Sequence, residues 1–267
     1  MKKSVVTANY VTRVFGYEPP KPFDWGRCEE ATKDQFTSWG WEMEWATICR
    51  EVADLGVEAI EVWVAHLPYD RVDERHVKQF ARIISDHGLK VSAYAGWFGG
   101  PNHTKEDYER ACVAANILGA PYLQGGIAWD RLDVSLPVLR AHGVKVTIEN
   151  HPGMETPEKM LAQIAAAPDV LGAGPDTGWF AVVNIDAADA VRTLGSHVWH
   201  VHWKDMEATG AHHSCAMGYG VVGLERVLDV LNGLGYSGYL SLEHEPEEGD
   251  PVPAVRKGLE WLREHGQ

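Results

Sequence analysis

Eight short apolar runs recur along the chain, each followed by a stretch with helical punctuation. That alternation limits the fold more than any other feature. The runs that read as strands are Ser4–Ala8, Glu58–Val64, Lys90–Tyr94, Pro121–Gln124, Lys145–Glu149, Leu171–Asp176, Val198–Trp203 and Gly238–Glu243. Between them, Thr104 with Asp107 has the spacing of a capping box, and Gly119 closes the same segment. Thr156-Pro157 and Asp250-Pro251 each put a cap residue before a first-turn proline. Gly56, Gly88, Gly143, Gly195 and Gly235 stand where a helix stops in a left-handed turn before the next strand. Apolar strands joined by helices run parallel and are covered by those helices. Eight such units in 267 residues predict an α/β fold, a single-domain (β/α)8 TIM barrel spanning residues 1–267. An open doubly wound sheet is the alternative, but no glycine-rich phosphate fingerprint follows any of the runs.

One segment breaks the pattern. Residues 10–40 read as a long irregular connection carrying Phe15, Tyr17, Phe23, Trp25, Phe36 and Trp39 among Pro19, Pro20 and Pro22. A connection of this length inside a compact domain is either packed on itself or functional. The functional form here is an aromatic lid or wall over the barrel mouth.

Bulk properties exclude several classes. No run approaches the roughly 20 apolar residues of a membrane span. The basic start, Met1-Lys2-Lys3-Ser4, is not followed by an apolar core, because Asn9, Thr12 and Arg13 interrupt it, so no export signal is expected. Cys28, Cys49, Cys112 and Cys215 are scattered, which fits thiols in a cytoplasmic protein better than a disulfide frame. The net charge of −14 and the lack of a Lys/Arg cluster argue against a nucleic-acid partner. They leave a small neutral molecule as the expected partner. A homo-oligomer, or association with another subunit, is compatible with this reading.

The chemistry lies at the strand ends. In such a barrel the C-terminal ends of the strands line the active face. Four of the later runs end in Glu149, Asp176, His202 and Glu243. A carboxylate at the end of an apolar strand is costly without a partner. Three acids and an imidazole on consecutive strands converge, and the like charges repel unless a cation sits among them. The set therefore predicts one divalent metal ion.

The sequence here resembles the xylose isomerase-like barrel superfamily, in its branch of sugar isomerases, ketose 3-epimerases and inosose dehydratases. The residues carrying the resemblance are Ile148-Glu149-Asn150, Asp176-Thr177-Gly178, His202-Trp203-Lys204-Asp205, Gly218-Tyr219-Gly220 and Leu242-Glu243-His244-Glu245, within Leu55 to the C-terminus. The resemblance implies that Glu149, Asp176, His202 and Glu243 ligate the ion. Manganese is the first expectation, with cobalt, magnesium and zinc as alternatives. It also implies catalytic roles for Glu149 and Glu243, which would remove a proton beside a carbonyl and return one. The metal would stabilise the enediolate. The function so implied is isomerisation or epimerisation of a small sugar or keto-sugar.

Further residues stand close to this set in the sequence. His66 follows the second strand, and His151 lies two residues beyond Glu149. Glu155 holds the position of a substrate-contacting glutamate in the epimerases, and Lys204 follows the metal histidine. All four are candidate substrate-binding residues, each with a packing or ion-pairing alternative. Glu61 lies within the second strand and His200 one inward position before His202; both read as supports behind the ligands. His212 and His213 sit in a polar loop and are expected to face solvent. Two departures from the family pattern matter. Trp179 replaces a histidine three residues after the metal aspartate, and Ala208 replaces an arginine six residues after the metal histidine. Trp179 becomes a candidate for stacking on a ring of the substrate. These changes weigh against a free-ketohexose 3-epimerase. They keep in view a lyase using the same site, either a dehydratase or an enzyme eliminating an aglycone from a 3-keto-glycoside. An apurinic-site endonuclease is disfavoured by the charge and by Trp179. A non-catalytic sugar-binding or partner barrel is disfavoured by the intact ligand set.

Overall fold

The computed structural model describes residues 1–99 and 102–266. Its strands are β1 (Lys2–Val6), β2 (Ala59–Trp63), β3 (Lys90–Trp97), β4 (Tyr122–Gly126), β5 (Lys145–Ile148), β6 (Leu171–Ala173), β7 (Val201–Trp203), β8 (Asp205–Met206), β9 (Ser214–Cys215) and β10 (Tyr239–Leu242). Its helices are α1 (Trp25–Thr37), α2 (Trp41–Asp54), α3 (Glu74–Asp86), α4 (Lys105–Leu118), α5 (Leu132–His142), α6 (Pro157–Ala166), α7 (Thr177–Val182), α8 (Ala187–Leu194), α9 (Leu224–Gly233) and α10 (Val252–His265). Eight strands form one parallel sheet in the order β6-β5-β4-β3-β2-β1-β10-β7. Bridges Ala173↔Val198 and Asp176↔His202 join its two edges, with His202 N donating to Pro175 O at 3.0 Å. The sheet thus curls into a (β/α)8 barrel, and all eight predicted strands contribute. β8 and β9 form a small antiparallel hairpin beyond β7.

Strand ends shift by one to three residues from the sequence expectation, as where β3 runs on to Trp97 and β7 starts at Val201, and two of the shifts bear on the mouth of the barrel. The first strand ends at Val6, and Thr7–Tyr10 coils into a 3-10 turn. The sixth ends at Ala173, and Asp176 lies beyond it as the cap of α7. The larger correction concerns residues 10–40, which are not irregular throughout, because they contain the 13-residue helix α1. Its first turn is capped by Asp24, whose Oδ1 accepts from Arg27 N at 2.8 Å. Cys28, Thr32 and Phe36 bury one stripe at four-residue spacing, and the Phe36 ring meets Trp45 of α2 at 6.0 Å.

The barrel interior is polar. Ser4, Glu61, Gln124, Thr147, His200 and Ser241 are buried there. They satisfy one another: Ser4 Oγ meets Ser241 Oγ at 2.5 Å, and Thr147 Oγ1 donates to Gln124 Oε1 at 2.6 Å. The alternating residues Val5, Ile60, Val62, Leu123 and Val146 belong to the apolar core beneath the helices. Among the described residues, no helix is long and apolar enough to cross a membrane.

Candidate metal centre

Four neighbouring strands deliver the converging side chains. Glu149 follows β5, Asp176 follows β6, His202 lies in β7 and Glu243 follows β10. Around the closed barrel these strands are consecutive, so Glu149 and Glu243 stand at the two ends of an arc. One ligand-type atom from each of the four lies within 4.8 Å of the others. All four residues are buried.

Side-chain clamps hold this geometry. Asn150 donates Nδ2 to Asp176 O at 3.0 Å and accepts from Asp176 N at 2.7 Å, which ties the end of β5 to that of β6. Thr177 Oγ1 donates to Lys204 O at 2.6 Å and accepts from Lys204 N at 2.9 Å, which ties β6 to β7. Asn9 donates to Leu242 O at 3.2 Å and accepts from His244 N at 2.7 Å, fixing the end of β10. The Asp205 carboxylate gathers the amides of Gly218, Gly220 and Val222 at 2.9–3.1 Å and so folds the loop beyond β7. A side chain at Gly220 would strike Met206 O and Asp205 Oδ1, so that loop requires glycine there. Asn150, Thr177, Asp205 and Gly220 of the sequence motifs thus act as scaffold, with Asn9 beside them.

The electrostatics of the cluster call for positive charge. His202 Nδ1 stands 3.0 Å from Glu149 Oε1 and 3.1 Å from Glu243 Oε2, while its Nε2 stands 2.8 Å from Glu61 Oε1. Burial works against a charged ring, but Glu243, Glu61 and Glu149 outweigh it and raise His202 well above the ordinary range. Burial alone would lift Glu149 too, yet His151 and His202 hold it well below the usual carboxylate range. Asp176 goes the other way. Burial, with Glu243 and Glu149 nearby and against the pull of Lys204, pushes it up to about 7. Its Oδ1 caps α7 through Gly178 N at 2.6 Å and Trp179 N at 3.0 Å, whereas its buried Oδ2 has no hydrogen-bond partner. Lys204 Nζ pairs with Glu245 and lies 3.4 Å from Glu243 Oε2 and 3.5 Å from Asp176 Oδ2.

These features fit a divalent ion. A buried carboxylate oxygen without a hydrogen bond stands among three carboxylates, and Glu61 can accept a hydrogen bond from His202 Nε2–H, which leaves the Nδ1 lone pair of the neutral ring directed at them. Behind the cluster, the other Glu61 oxygen meets His200 Nε2 at 2.7 Å and accepts from Ser241. Burial would raise Glu61, but His200 and His202 keep it well below the carboxylate range.

A cavity of about 660 Å³ opens onto the cluster. Glu149, His202 and Glu243 line it, as do His151, Trp179 and Lys204. His151 Nε2 lies 3.2 Å from Glu149 Oε1, and its ring meets Trp179 at 4.6 Å. His212 is exposed, yet it also lines the rim and meets Trp179 edge-on at 5.0 Å. Two candidates stand elsewhere. His66 is buried among Phe36, Trp45 and Trp63 and is not on the cavity wall. Burial pushes its ring down to about 3, which makes it a neutral core group. Glu155 turns away to bind Gly153 N at 2.7 Å and Lys159 Nζ at 2.6 Å.

Much of the remaining wall lies outside the residues that the sequence marks as a site. Trp63, Tyr69, Trp97 and Phe98 come from the ends of β2 and β3 and the turns after them, and Glu245 and Glu247 follow β10. Phe23 and Trp25, from the 10–40 segment, complete the aromatic side. The sequence signal for Trp63, Tyr69, Trp97, Phe98 and Glu247 is only their position at or after strand ends, whereas Phe23 and Trp25 belong to the aromatic-rich 10–40 segment and Glu245 to a family motif.

Fold and site together define a parallel (β/α)8 barrel with a buried carboxylate and imidazole cluster at its C-terminal mouth. A family model described as "Xylose isomerase-like TIM barrel" matches residues 49–265, and the chain belongs to that family. No curated protein sequence matches it. Among solved structures it is similar to a probable 3-DHS dehydratase, AsbF, from Bacillus anthracis, with TM-score 0.72 and 14% identity over 98% of this chain and 99% of that one. It is also similar to D-psicose 3-epimerase from Clostridium cellulolyticum H10, with TM-score 0.69 and 16% identity over 99% of both chains. A third is 3-keto-D-glucoside 4-epimerase, YcjR, from E. coli, with TM-score 0.66 and 18% identity over 82% of this chain and 94% of that one. At these identities the likeness is one of fold.

Proposed function

We propose that the protein is a divalent-metal-dependent isomerase or epimerase of a small sugar or keto-sugar. The observation that carries this reading is the convergence of Glu149, Asp176, His202 and Glu243 within 4.8 Å, with Asp176 Oδ2 buried and without a hydrogen bond. These four residues would hold the ion. Three carboxylates and one imidazole suit a hard-to-borderline cation, manganese first, with cobalt, magnesium or zinc as alternatives. When bound, the ion supplies Lewis-acid polarisation of a carbonyl and its neighbouring hydroxyl.

The chain's own groups do the rest. Glu149 and Glu243, at opposite ends of the arc, approach a substrate carbon from different sides. One takes the proton beside the carbonyl and the other returns a proton. Lys204 is positioned to donate a hydrogen bond to a substrate oxygen beside Glu243. His151 keeps Glu149 oriented, and Trp179 with His151 forms one wall. Phe23 and Trp25 make the 10–40 segment part of the cavity wall. Neighbours named as D-psicose 3-epimerase and 3-keto-D-glucoside 4-epimerase support a sugar as the substrate class.

Solvent isotope exchange tests the chemistry. A panel of ketoses and keto-sugars incubated in deuterium oxide with manganese-loaded protein should gain one deuterium at a carbon beside the carbonyl. Label should be absent after chelation. Release of water or of a substituent, with no label returned to an intact sugar, would replace isomerisation by elimination.

A further inference from the structure

The cavity is larger than a single sugar and has two chemically different parts. A hexose, with about twelve non-hydrogen atoms, fills at most about 360 Å³ even if each atom takes the ~30 Å³ of a liquid water molecule. The cavity holds about 660 Å³. Glu149, Glu243 and Lys204 gather in one part of its wall, the rings of Phe23, Trp25 and Trp63 pack together in another, and Trp97 lines it as well. Trp25 bridges the packed rings, 6.4 Å from Phe23 and 5.5 Å from Trp63 between ring centroids.

Trp97 is the most informative ring. It lines the cavity and remains 55% exposed. The face that is covered rests on Gly126, where an added Cβ would come within 2.4 Å of the six-membered ring. The backbone at Gly126 is therefore bare where the indole lies, and the ring is held as a platform beside the cavity. An exposed indole on a rigid seat gains by covering itself with a flat apolar ring.

Charge narrows the ligand further. Six carboxylates line the cavity, namely Glu29, Asp70, Glu149, Glu243, Glu245 and Glu247, against Lys33 and Lys204. Lys33 is already paired with Glu29 at 2.6 Å and Glu30 at 3.1 Å, and Lys204 with Glu245. Among the described residues no arginine lines the cavity. A phosphate would meet only occupied cations and net negative potential.

We infer that the substrate is a neutral glycoside carrying a ring ketone, whose aromatic aglycone lies on the Trp97 side of the cavity, with its keto-sugar unit at the carboxylate end. This rests on the sugar reading of that end. A second sugar ring is the competing occupant, because Glu29 and Asp70 also line the cavity, and the disaccharide arm of the test below decides between the two.

Calorimetric binding to the full chain tests it, with phenyl, methyl and 6-phosphorylated glycosides in the gluco, galacto and manno series and a disaccharide of each sugar. In at least one series the phenyl glycoside should bind about tenfold more tightly than the methyl glycoside, from ring stacking and apolar burial. The preference should fall to near parity in Trp97→Ala and in Gly126→Ala, which displaces the indole without removing it. Equal phenyl and methyl affinities, no phenyl binding in any series, tighter binding of a phosphate, or a disaccharide equal to the phenyl glycoside would each overturn the inference. The same titrations after chelation separate it from the metal reading. A phenyl preference that persists in protein unable to bind manganese upholds the inference while the metal-dependent reading falls.

Discussion

Glu149→Gln and Glu243→Gln each lower product formation by about 10²–10⁴-fold, the usual contribution of a positioned acid or base. Glutamine keeps the length and one coordinating oxygen of glutamate but cannot carry a proton. Both side chains lie against His202 Nδ1, at 3.0 and 3.1 Å, and an amide of the same size fills the same space, so the local packing is preserved. A two-base mechanism makes a finer statement. With one glutamate left, the proton on its own face is still removed and returned, so label enters one epimer without inversion. The double variant loses this exchange as well, while its loss of product formation is far less than the product of the single effects. Near-normal conversion in both single variants would remove these residues from proton transfer. Measuring label and product in the same samples separates the outcomes.

Glu61→Leu has the second large effect, although Glu61 does not line the cavity. Its two oxygens join His202 at 2.8 Å to His200 at 2.7 Å, and the side chain is fully buried. Removing one member of such a buried set costs about 3–5 kcal/mol, because the remaining polar groups lose their partner in a dry interior. It also releases the His202 ring. Loss of an outer partner of a metal-binding histidine weakens metal affinity about 10–100-fold. Both effects are expected, read as a lower unfolding midpoint and a weaker manganese titration. Ser4→Ala is the control. Ser4 bonds Ser241 on the same barrel floor but does not touch His202, so it costs about 1 kcal/mol and leaves metal affinity unchanged. An unaltered manganese affinity in Glu61→Leu would leave Glu61 a purely structural group.

The strands were legible because a buried parallel strand must be apolar and must stop where a helix can start. Each predicted run overlaps a real strand, and misplacements such as Thr7–Tyr10 are at ends, where backbone geometry changes before the sequence does. The four converging side chains were legible for a related reason: a charge at the end of an apolar strand stands out. Helix α1 was hidden because its buried stripe is thin, Cys28, Thr32 and Phe36, and prolines precede it. His66 looked like a mouth residue because it follows β2, yet the chain turns there and sinks the ring among Phe36, Trp45 and Trp63. Strand position alone does not say whether a side chain three residues beyond the end still faces the mouth. The part of the aromatic wall carried by the strands was illegible for the opposite reason. Trp63 and Trp97 are ordinary strand-end apolar residues until the 10–40 segment brings Phe23 and Trp25 alongside.

The central claim is that Glu149, Asp176, His202 and Glu243 hold one divalent ion. Titrating chelator-stripped protein with manganese, in wild type and in Asp176→Asn, tests it most directly. Asparagine can keep the Oδ1 cap on Gly178 and Trp179 but removes the charge on the buried Oδ2. The account predicts one saturable ion per chain in the wild type, and in Asp176→Asn a loss of affinity beyond the about 10–100-fold that an outer partner contributes. No saturable binding in the wild type, or equal affinity in the two proteins, would contradict it.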